Sequence, residues 1–452
     1  KIELELIFKK MTTSMNRRQF VKRSLTGTVG TMVLPTILPA GVISGRNRIM
    51  PNDRINLGFI GVGGMGSGHL RSFLGYDDVR VMAICDVKKE QRDKSKQTVD
   101  SRYGNNECVT YNDYRELLVR KDIDAIVMAA PDHWHALIGV EAARQGKAMY
   151  HEKPLGLTVE ECQVMRKVVK RYNTCFQHGT QQRSDPQFRF AVEMVRNGKI
   201  GNIKRIVAEA TGCRTVPYPQ EEPVPEGFDY NLWLGPAPLA PYSELRCTRD
   251  FMHIKDYSLG GLSGAWGIHH IDIVQWALDA DNSGPVEIEG TGSYPLEGLF
   301  NTYHSYEVEY KYPNGEKLLY IDRDTVRSKI PQFKAPSSMA ILFEGTEGWI
   351  YVARGYLDAY PKKLLNTVIG PNEFKLPFSN DHRRNYLDAV RTGSKPISTI
   401  ESAIKSEIIC QQAYIAMELE QKLYWDNENE KFINNIAANK MLSRPMRSPW
   451  HL

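Results

Sequence analysis

Ile55-Asn56-Leu57-Gly58-Phe59-Ile60-Gly61-Val62-Gly63-Gly64-Met65-Gly66 is the stretch on which the fold turns. Its first six residues form a short apolar run, as expected of a strand buried on both faces. The next six match G-x-G-x-x-G, and Ser67 to Leu74 carry helical spacing. Gly61 permits a tight turn, Gly63 lets backbone approach a pyrophosphate, and Gly66 lets the helix pack close to the strand. The helix N-terminus offers free N–H groups and partial positive charge to the phosphates. Gly64 and Met65 belong to the same phosphate loop. A second strand, Val79 to Cys85, ends in Asp86, twenty residues after Gly66. A carboxylate there meets the hydroxyls of an adenosine ribose. It favours NAD over NADP by repelling a ribose phosphate, whereas Lys88 and Lys89 pull the other way.

The alternation of strand and helix continues. Asp124 to Ala130 reads as a buried strand running into Pro131-Asp132-His133-Trp134-His135. A helix from Ala136 to Gln145 stops at Gly146, and Ala148 to His151 is a further strand, followed by Glu152-Lys153-Pro154. Ligands of an open parallel sheet bind outside the C-terminal strand ends, where Pro131, His133, His135, Glu152 and Lys153 sit. The expectation is an α/β protein: a Rossmann dinucleotide-binding domain over 49–175 and a second α/β domain over 176–452.

Composition bounds the rest. At 452 residues the chain is too long for one core. With 42% hydrophobic and 25% charged residues it is ordinary globular material. A net charge of +5, partly carried by the N-terminal segment, and the lack of a basic stripe with interleaved aromatics exclude a nucleic-acid partner. The seven cysteines are scattered and never spaced C-x-x-C, which argues against a disulfide framework and a structural zinc site. Over 1–48, Met15-Asn16-Arg17-Arg18-Gln19-Phe20-Val21-Lys22 precedes a broken apolar stretch from Leu25 to Ile43. This reads as a signal peptide of twin-arginine type, with the residues before it set aside. A periplasmic protein with no stable membrane insertion after export follows as an expectation.

At Glu152-Lys153-Pro154 the chain comes to resemble the Gfo/Idh/MocA oxidoreductases. The resemblance rests also on Gly61 to Gly66, Asp86, Ala129-Ala130-Pro131 with His135, and Trp266-Gly267-Ile268-His269-His270-Ile271-Asp272. Phe343 to Gly348 and Asn385 to Val390 fit as well. It implies a Rossmann domain followed by a domain with a large open, mostly antiparallel sheet, commonly a homodimer or homotetramer. It implies that Lys153 contacts cofactor and substrate hydroxyl, and that His269 is the acid/base. Many members carry an aspartate four residues before that histidine. Here the position is Ala265, which leaves His269 to work alone, or with Asp256 or Asp272.

On its own terms, Leu262 to Leu278 carries a helical pattern that puts His269 and Asp272 on one face. A histidine there can take the hydroxyl proton while hydride leaves to a nicotinamide, and Lys153 can stabilise the developing alkoxide. Gln181, Arg183, Asp256, Tyr257, His270 and Asp272 are the candidate substrate contacts. Arg246 and His382 are further positions of interest, and residues 444–452 read as a surface-packed tail. The function expected is NAD(P)-dependent oxidation of a sugar, glycoside or cyclitol hydroxyl with a firmly held nucleotide. Two other readings stand beside it. One is an NAD-using glycoside-cleaving enzyme, or a maker of keto-glycosides for a partner lyase, like relatives acting on N-acetylgalactosaminides. The other is a non-catalytic nucleotide- or sugar-binding protein.

Overall fold

The computed structural model describes residues 54–334 and 339–452, so the basic segment at 1–48 lies outside the described residues. Ile55–Ile60 is strand β1 and is buried almost throughout. It is joined by β2 Val79–Cys85, β3 Val109–Tyr111, β4 Ala125–Met128, β5 Ala148–His151 and β6 Phe176–His178. The order is β3-β2-β1-β4-β5-β6, and every pairing is parallel. The direction of winding reverses between β1 and β4, which opens a crevice at the C-terminal strand ends. Helices α1 Gly64–Phe73, α2 Lys89–Tyr103, α3 His135–Arg144 and α4 Val159–Arg171 belong to this half. Helix α4 starts where its sequence asks. The Thr158 hydroxyl accepts the Glu161 N–H, and Glu160 and Glu161 face the positive end of the helix.

Two readings shift. The run 124–130 is a strand only over Ala125–Met128, because Ala129 and Ala130 leave the ladder to line the crevice. Phe176–His178, placed above in the second domain, pairs with β5 in the first sheet. A crossover helix returns the chain parallel to the strand it left, so the segment after α4 extends the sheet already begun.

Among the described residues the second sheet has nine strands. Its central strands are β7 Ile203–Ala210, β10 Lys317–Asp322 and β11 Ala340–Gly345. With β8 Glu287–Ser293, β9 Ser305–Lys311, β12 Trp349–Ala353, β13 Tyr356–Tyr360, β14 Leu423–Asp426 and β15 Lys431–Phe432, they stand in the order β13-β12-β11-β7-β10-β9-β8-β14-β15. The β7–β10 pair is parallel and the other named pairs are antiparallel. Side chains alternate across it as the pleat requires. Leu318 and Tyr320 enter the large core, while Leu319 and Ile321 pack into a smaller cluster with Val326 and Phe333. Against the large-core face lie α6 Gly267–Ala277 and α8 Ile400–Leu419; α5 Pro186–Arg196 precedes them in the chain and α7 His382–Thr392 lies between them.

Every residue of α6 is buried, including the polar His269, His270, Asp272 and Gln275. It is shorter than the Leu262–Leu278 pattern. The Tyr320 hydroxyl donates to the Leu262 carbonyl at 2.7 Å and reaches that of Gly261 at 3.3 Å, occupying oxygens that a helix would use. Gly260–Leu262 is therefore a single tight turn, and Ser263 to Trp266 is loop. Among the described residues no helix is long and apolar enough to cross a membrane.

Candidate active site

A cavity of about 910 Å³ occupies the crevice. Its floor is the glycine loop. Gly61 has φ +78°, and a Cβ there would fall 2.6 Å from the Ala129 carbonyl oxygen. A Cβ on Gly66 would lie 1.9 Å from the Gly61 carbonyl oxygen, so that glycine serves the packing of α1 on β1 and does not line the cavity. At Gly63 a Cβ would meet no protein atom within 4 Å, and Gly63, Gly64 and Met65 face the open space. No side chain caps α1, so its first N–H groups are left to a ligand. These residues fit a dinucleotide pyrophosphate. Asp86 accepts the Val62 and Lys88 N–H groups, each at 2.9 Å, and lines the cavity. Burial pushes its carboxyl up, and those two N–H groups pull it back. Lys88 Nζ is committed to the Cys247 carbonyl at 3.2 Å and lies over the Phe228 ring; Lys89 pairs with Asp93.

The crevice has a roof made by chain outside the first sheet. Leu232, Trp233, Cys247, Thr248, Arg249 and Phe251 line the cavity opposite the glycine loop. The roof is tied to the ends of β2 and β4. Lys89 N–H donates to Gly227 O at 2.8 Å and Asp229 N–H to Val87 O at 3.0 Å. The rings of His133 and Trp134 both donate to Trp233 O, at 2.9 and 3.0 Å. Residues 444–450 bind across the same region. Arg447 donates to Gly235 O at 2.8 Å, and Trp450 meets Trp134 edge-on at 4.7 Å.

At the inner end sits Lys153. Its ammonium donates to Gly264 O at 2.5 Å, which leaves two of three protons free. Glu152 is fully engaged. Oε1 accepts from His69 Nε2 at 2.7 Å and Gln181 Nε2 at 2.9 Å, and Oε2 accepts the Lys153 N–H at 3.3 Å. Burial alone would raise the Glu152 carboxyl; the His69 hydrogen bond and the Lys153 charge outweigh it and bring it down to about 2. Arg383 Nε donates to His69 Nδ1 at 3.0 Å, so the proton that His69 gives to Glu152 sits on Nε2. The loop that carries Gly264 is held by two buried carboxyl groups. Asp132 accepts the Ser258 hydroxyl and Glu407 the Ser263 hydroxyl, each at 2.6 Å. A Cβ at position 264 would fall 1.8 Å from Asp132 Oδ2, so Asp132 fills the space beside this loop.

His269 lies behind that loop, in the first turn of α6, and is not among the cavity-lining residues. Burial holds its imidazole well below the usual range, and the charges of Lys153 and Arg354 push the same way. It is a neutral base at physiological pH. Among the described residues its buried Nδ1 has no partner. Ala265 precedes the helix, so the i−4 relation expected from the sequence does not arise, and Asp272 does not orient the ring either.

The cofactor candidates Gly61, Gly63, Gly64, Met65, Asp86, Pro131, His135, Glu152 and Lys153 all meet at the cavity. His135 is also a brace, since its ring nitrogens face the Pro154 and Ala130 carbonyls at 2.5 and 2.9 Å. The substrate candidates divide. Gln181 stays beside Glu152. Arg183 does not reach a ligand: four hydrogen bonds of 2.7–2.8 Å bind it to Asp272 and Asp281. That pairing spends Asp272 too. His270 accepts from Trp266 Nε1 at 3.0 Å and donates through Nδ1 to Glu209 O at 2.6 Å, so both nitrogens are used. Tyr257 is fully buried between His133 and Trp233. Asp256 accepts Arg444 through its backbone carbonyl and does not line the cavity. Arg246 is held by Tyr257 and Pro241 O, His133 by Trp233, and His382 by Ser184 and His178 O. Polar residue type placed these residues in a site; for Arg183, Asp272 and His270, burial with their polar atoms already paired inside the protein removes them from it.

Three residues escaped the sequence reading: Asp132, His69 and Arg354. Asp132 stood inside a quoted motif between two more conspicuous histidines. The pairings of His69 with Glu152, 83 positions away, and of Arg354 with Trp266 depend on tertiary contact that no local pattern announces.

Comparison with known proteins agrees with this geometry. Residues 55–180 match a family model described as "Oxidoreductase family, NAD-binding Rossmann fold", and 212–452 match its partner, "Oxidoreductase family, C-terminal alpha/beta domain". A "Glycosyl hydrolase family 109 protein" of Shewanella pealeana is 31% identical over 204 residues, covering 42% of this chain and 44% of that protein. An "Alpha-N-acetylgalactosaminidase" of Shewanella oneidensis is 30% identical over 205 residues with the same coverage. The match thus spans less than half the length of these curated relatives. Among solved structures, the WlbA dehydrogenase from Bordetella pertussis, in complex with NADH and UDP-GlcNAcA, superposes with TM-score 0.60 at 15% identity, over 82% of this chain and 99% of that one. Myo-inositol 2-dehydrogenase from Lactobacillus plantarum gives 0.56 at 20%, over 82% and 99%. At such identities the structures speak for the fold.

Proposed function

The chain belongs to the Gfo/Idh/MocA oxidoreductase family, and on that premise we propose that it oxidises a hydroxyl of a sugar, glycoside or cyclitol with an enclosed NAD. The carrying observation is Lys153, an ammonium with two free protons at the wall of the nucleotide cavity, beside Asp132 and with neutral His269 in its field. When bound, NAD supplies a hydride acceptor at its nicotinamide carbon. The chain supplies the rest. Lys153 donates to the substrate oxygen and stabilises its negative charge as the O–H proton departs. His269, uncharged through burial and lying behind the Gly264 loop, is the base assigned to that proton, which has to pass the loop to reach it. Glu152 sits next to Lys153 and accepts its backbone N–H, while His69 and Arg383 hold Glu152 in place. Asp86 supports NAD over NADP, and Lys89 is paired with Asp93, while Lys88 lines the cavity.

A second reading is favoured by the roof and by the family 109 relatives. A ketone formed at one ring carbon acidifies the neighbouring C–H, so that a base can remove that proton while the aglycone departs. An enclosed nucleotide suits such a redox-neutral cycle. We also propose a homodimer or homotetramer, and export by the twin-arginine segment to the periplasm, for which the support is the sequence of 15–43.

The test begins with the purified protein, denatured so that any released nucleotide is identified by mass spectrometry. One NAD per chain, followed by rising nicotinamide absorbance on addition of glycosides, is expected. No nucleotide, and no binding of added NAD(H) or NADP(H), would overturn the oxidoreductase reading. Release of free aglycone without net NADH would select the second reading.

A further inference from the structure

Five side chains on the cavity wall carry a carboxyl or imidazole group: Asp86, Asp132, His135, Glu152 and Glu244. Three are already engaged. Asp86 holds the Val62 and Lys88 N–H groups. Glu152 serves His69, Gln181 and the Lys153 backbone. Both ring nitrogens of His135 face carbonyl oxygens. Glu244 is exposed, on the roof.

Asp132 differs from all four. It is only 4% exposed, yet it lines the cavity. Among the described residues the Ser258 hydroxyl is the only side chain that donates to it, at 2.6 Å to Oδ2. Ser258 Oγ accepts the Gly260 N–H at 3.2 Å, and its single proton goes to Asp132. The other oxygen, Oδ1, takes no hydrogen bond from another residue, and it is not one of the buried polar atoms left without a partner. It therefore opens on the cavity.

Asp132 and Lys153 converge on one residue. The Lys153 ammonium is bound to the Gly264 carbonyl, and a Cβ on Gly264 would fall 1.8 Å from Asp132 Oδ2. A hydroxyl that takes a hydrogen bond from Lys153 thus has this carboxyl as its neighbour on the same wall. His269 stands behind the loop and off that wall.

We infer that Asp132 is a catalytic residue, the first acceptor of the substrate's hydroxyl proton on the cavity side of the Gly264 loop, ahead of His269. The inference rests on the proposed oxidation. The O–H bond breaks toward Oδ1, and its electron pair closes the C=O bond. The carbinol hydrogen leaves as hydride to NAD, and Asp132 becomes a neutral carboxylic acid. Burial pushes the Asp132 carboxyl up, against the charges of His135 and Lys153. A raised carboxyl is a stronger base than an exposed aspartate.

The test uses the nucleotide-loaded protein with three probes: methyl β-D-glucoside, methyl β-D-galactoside and methyl N-acetyl-α-D-galactosaminide. Asp132→Asn keeps the size of the side chain and an oxygen for Ser258, but loses the base. It should retain the parent's nucleotide content, and by calorimetry it should bind the reactive glycoside as tightly as the parent does. Nicotinamide reduction should slow by about 100- to 10,000-fold. Asp132→Ala should regain rate in proportion to added formate, a response that a merely structural carboxyl does not give. Reduction by Asp132→Asn at the parent's rate overturns the inference and leaves the oxidoreductase reading intact. So does a slow Asp132→Ala that formate does not rescue, which makes Asp132 a positioning residue. A parent that reduces its nicotinamide with none of the three glycosides removes the oxidoreductase reading, and this inference with it.

Discussion

Arg183→Met separates two accounts of one residue. The sequence offers Arg183 as a sugar contact; the structure buries it against Asp272, with side chains 2% and 1% exposed. Replacing the guanidinium leaves Asp272 in the interior with little beyond the Ser406 hydroxyl at 3.4 Å. Breaking a buried pair from one side costs about 3–5 kcal/mol, because a charge is left without compensation. The second carboxylate, Asp281, is 31% exposed, and its share is discounted for solvent to about 0–1 kcal/mol. Arg183→Met should therefore lower stability by about 3–5 kcal/mol, read as a fall in the urea midpoint at fixed nucleotide concentration. Asp281→Asn should cost less than about 1 kcal/mol. Arg183→Met with Asp272→Leu should recover most of the loss. The sign with pH follows from the orphaned acid. Its folded value rises above the ordinary carboxylate value of about 3.9, so the variant's deficit should shrink below about pH 4 and grow above it. An unchanged midpoint together with a raised KM would refute this reasoning and return Arg183 to the substrate.

Three further outcomes are expected. Gly66→Ala places a methyl against the backbone of Gly61, where no flexible side chain can yield; protein purified from this variant should carry little or no nucleotide, measured by absorbance after denaturation. Lys153→Met and His269→Gln should each lower kcat by about 100- to 10,000-fold, the usual worth of a positioned proton-transfer group, with nucleotide content preserved. Glu407, fully buried, has its carboxyl pushed up to about 8 by burial. A folded value above the unfolded one makes the native state hold a proton that the unfolded chain releases, so stability should fall between about pH 4.5 and 8; Glu407→Gln should flatten that fall in urea midpoints taken across the range.

The first half of the molecule was legible because its signals are local. A strand, three glycines and an aspartate at fixed spacing state where a nucleotide lies, and the structure places all of them as read, with Gly66 in its packing role. The second half was less legible because its sheet joins strands far apart in sequence and its site is built from single side chains. Arg183, Asp272, Tyr257 and His270 have the chemistry of sugar contacts. What decides against them is the number of their hydrogen-bonding atoms already used inside the protein, which only folded neighbours determine. Ala265 shows the same limit. Its spacing from His269 implied a shared helix face, but the Tyr320 hydroxyl holds the preceding carbonyls and the helix starts later. Asp132 stands beside the loop where the expected acid was missing, supplied by the other half of the chain.

The seam formed by Arg447 and Trp450 gives the crevice a history as well as a shape. The parallel sheet is finished at His178, roughly 270 residues before that seam is synthesised, an interval of about 14–54 s at ordinary elongation rates of about 5–20 residues per second. Through that interval the glycine loop and Asp86 can already exist while the roof is held only by the bonds of Gly227, Asp229 and Trp233, without the seam from 447–450. A nucleotide can enter a half-built site from the side and be shut in by the chain that follows. Loading would then be an event of synthesis, set by the nucleotide concentration where the protein is made, and its occupancy would record that place wherever the finished molecule is later found.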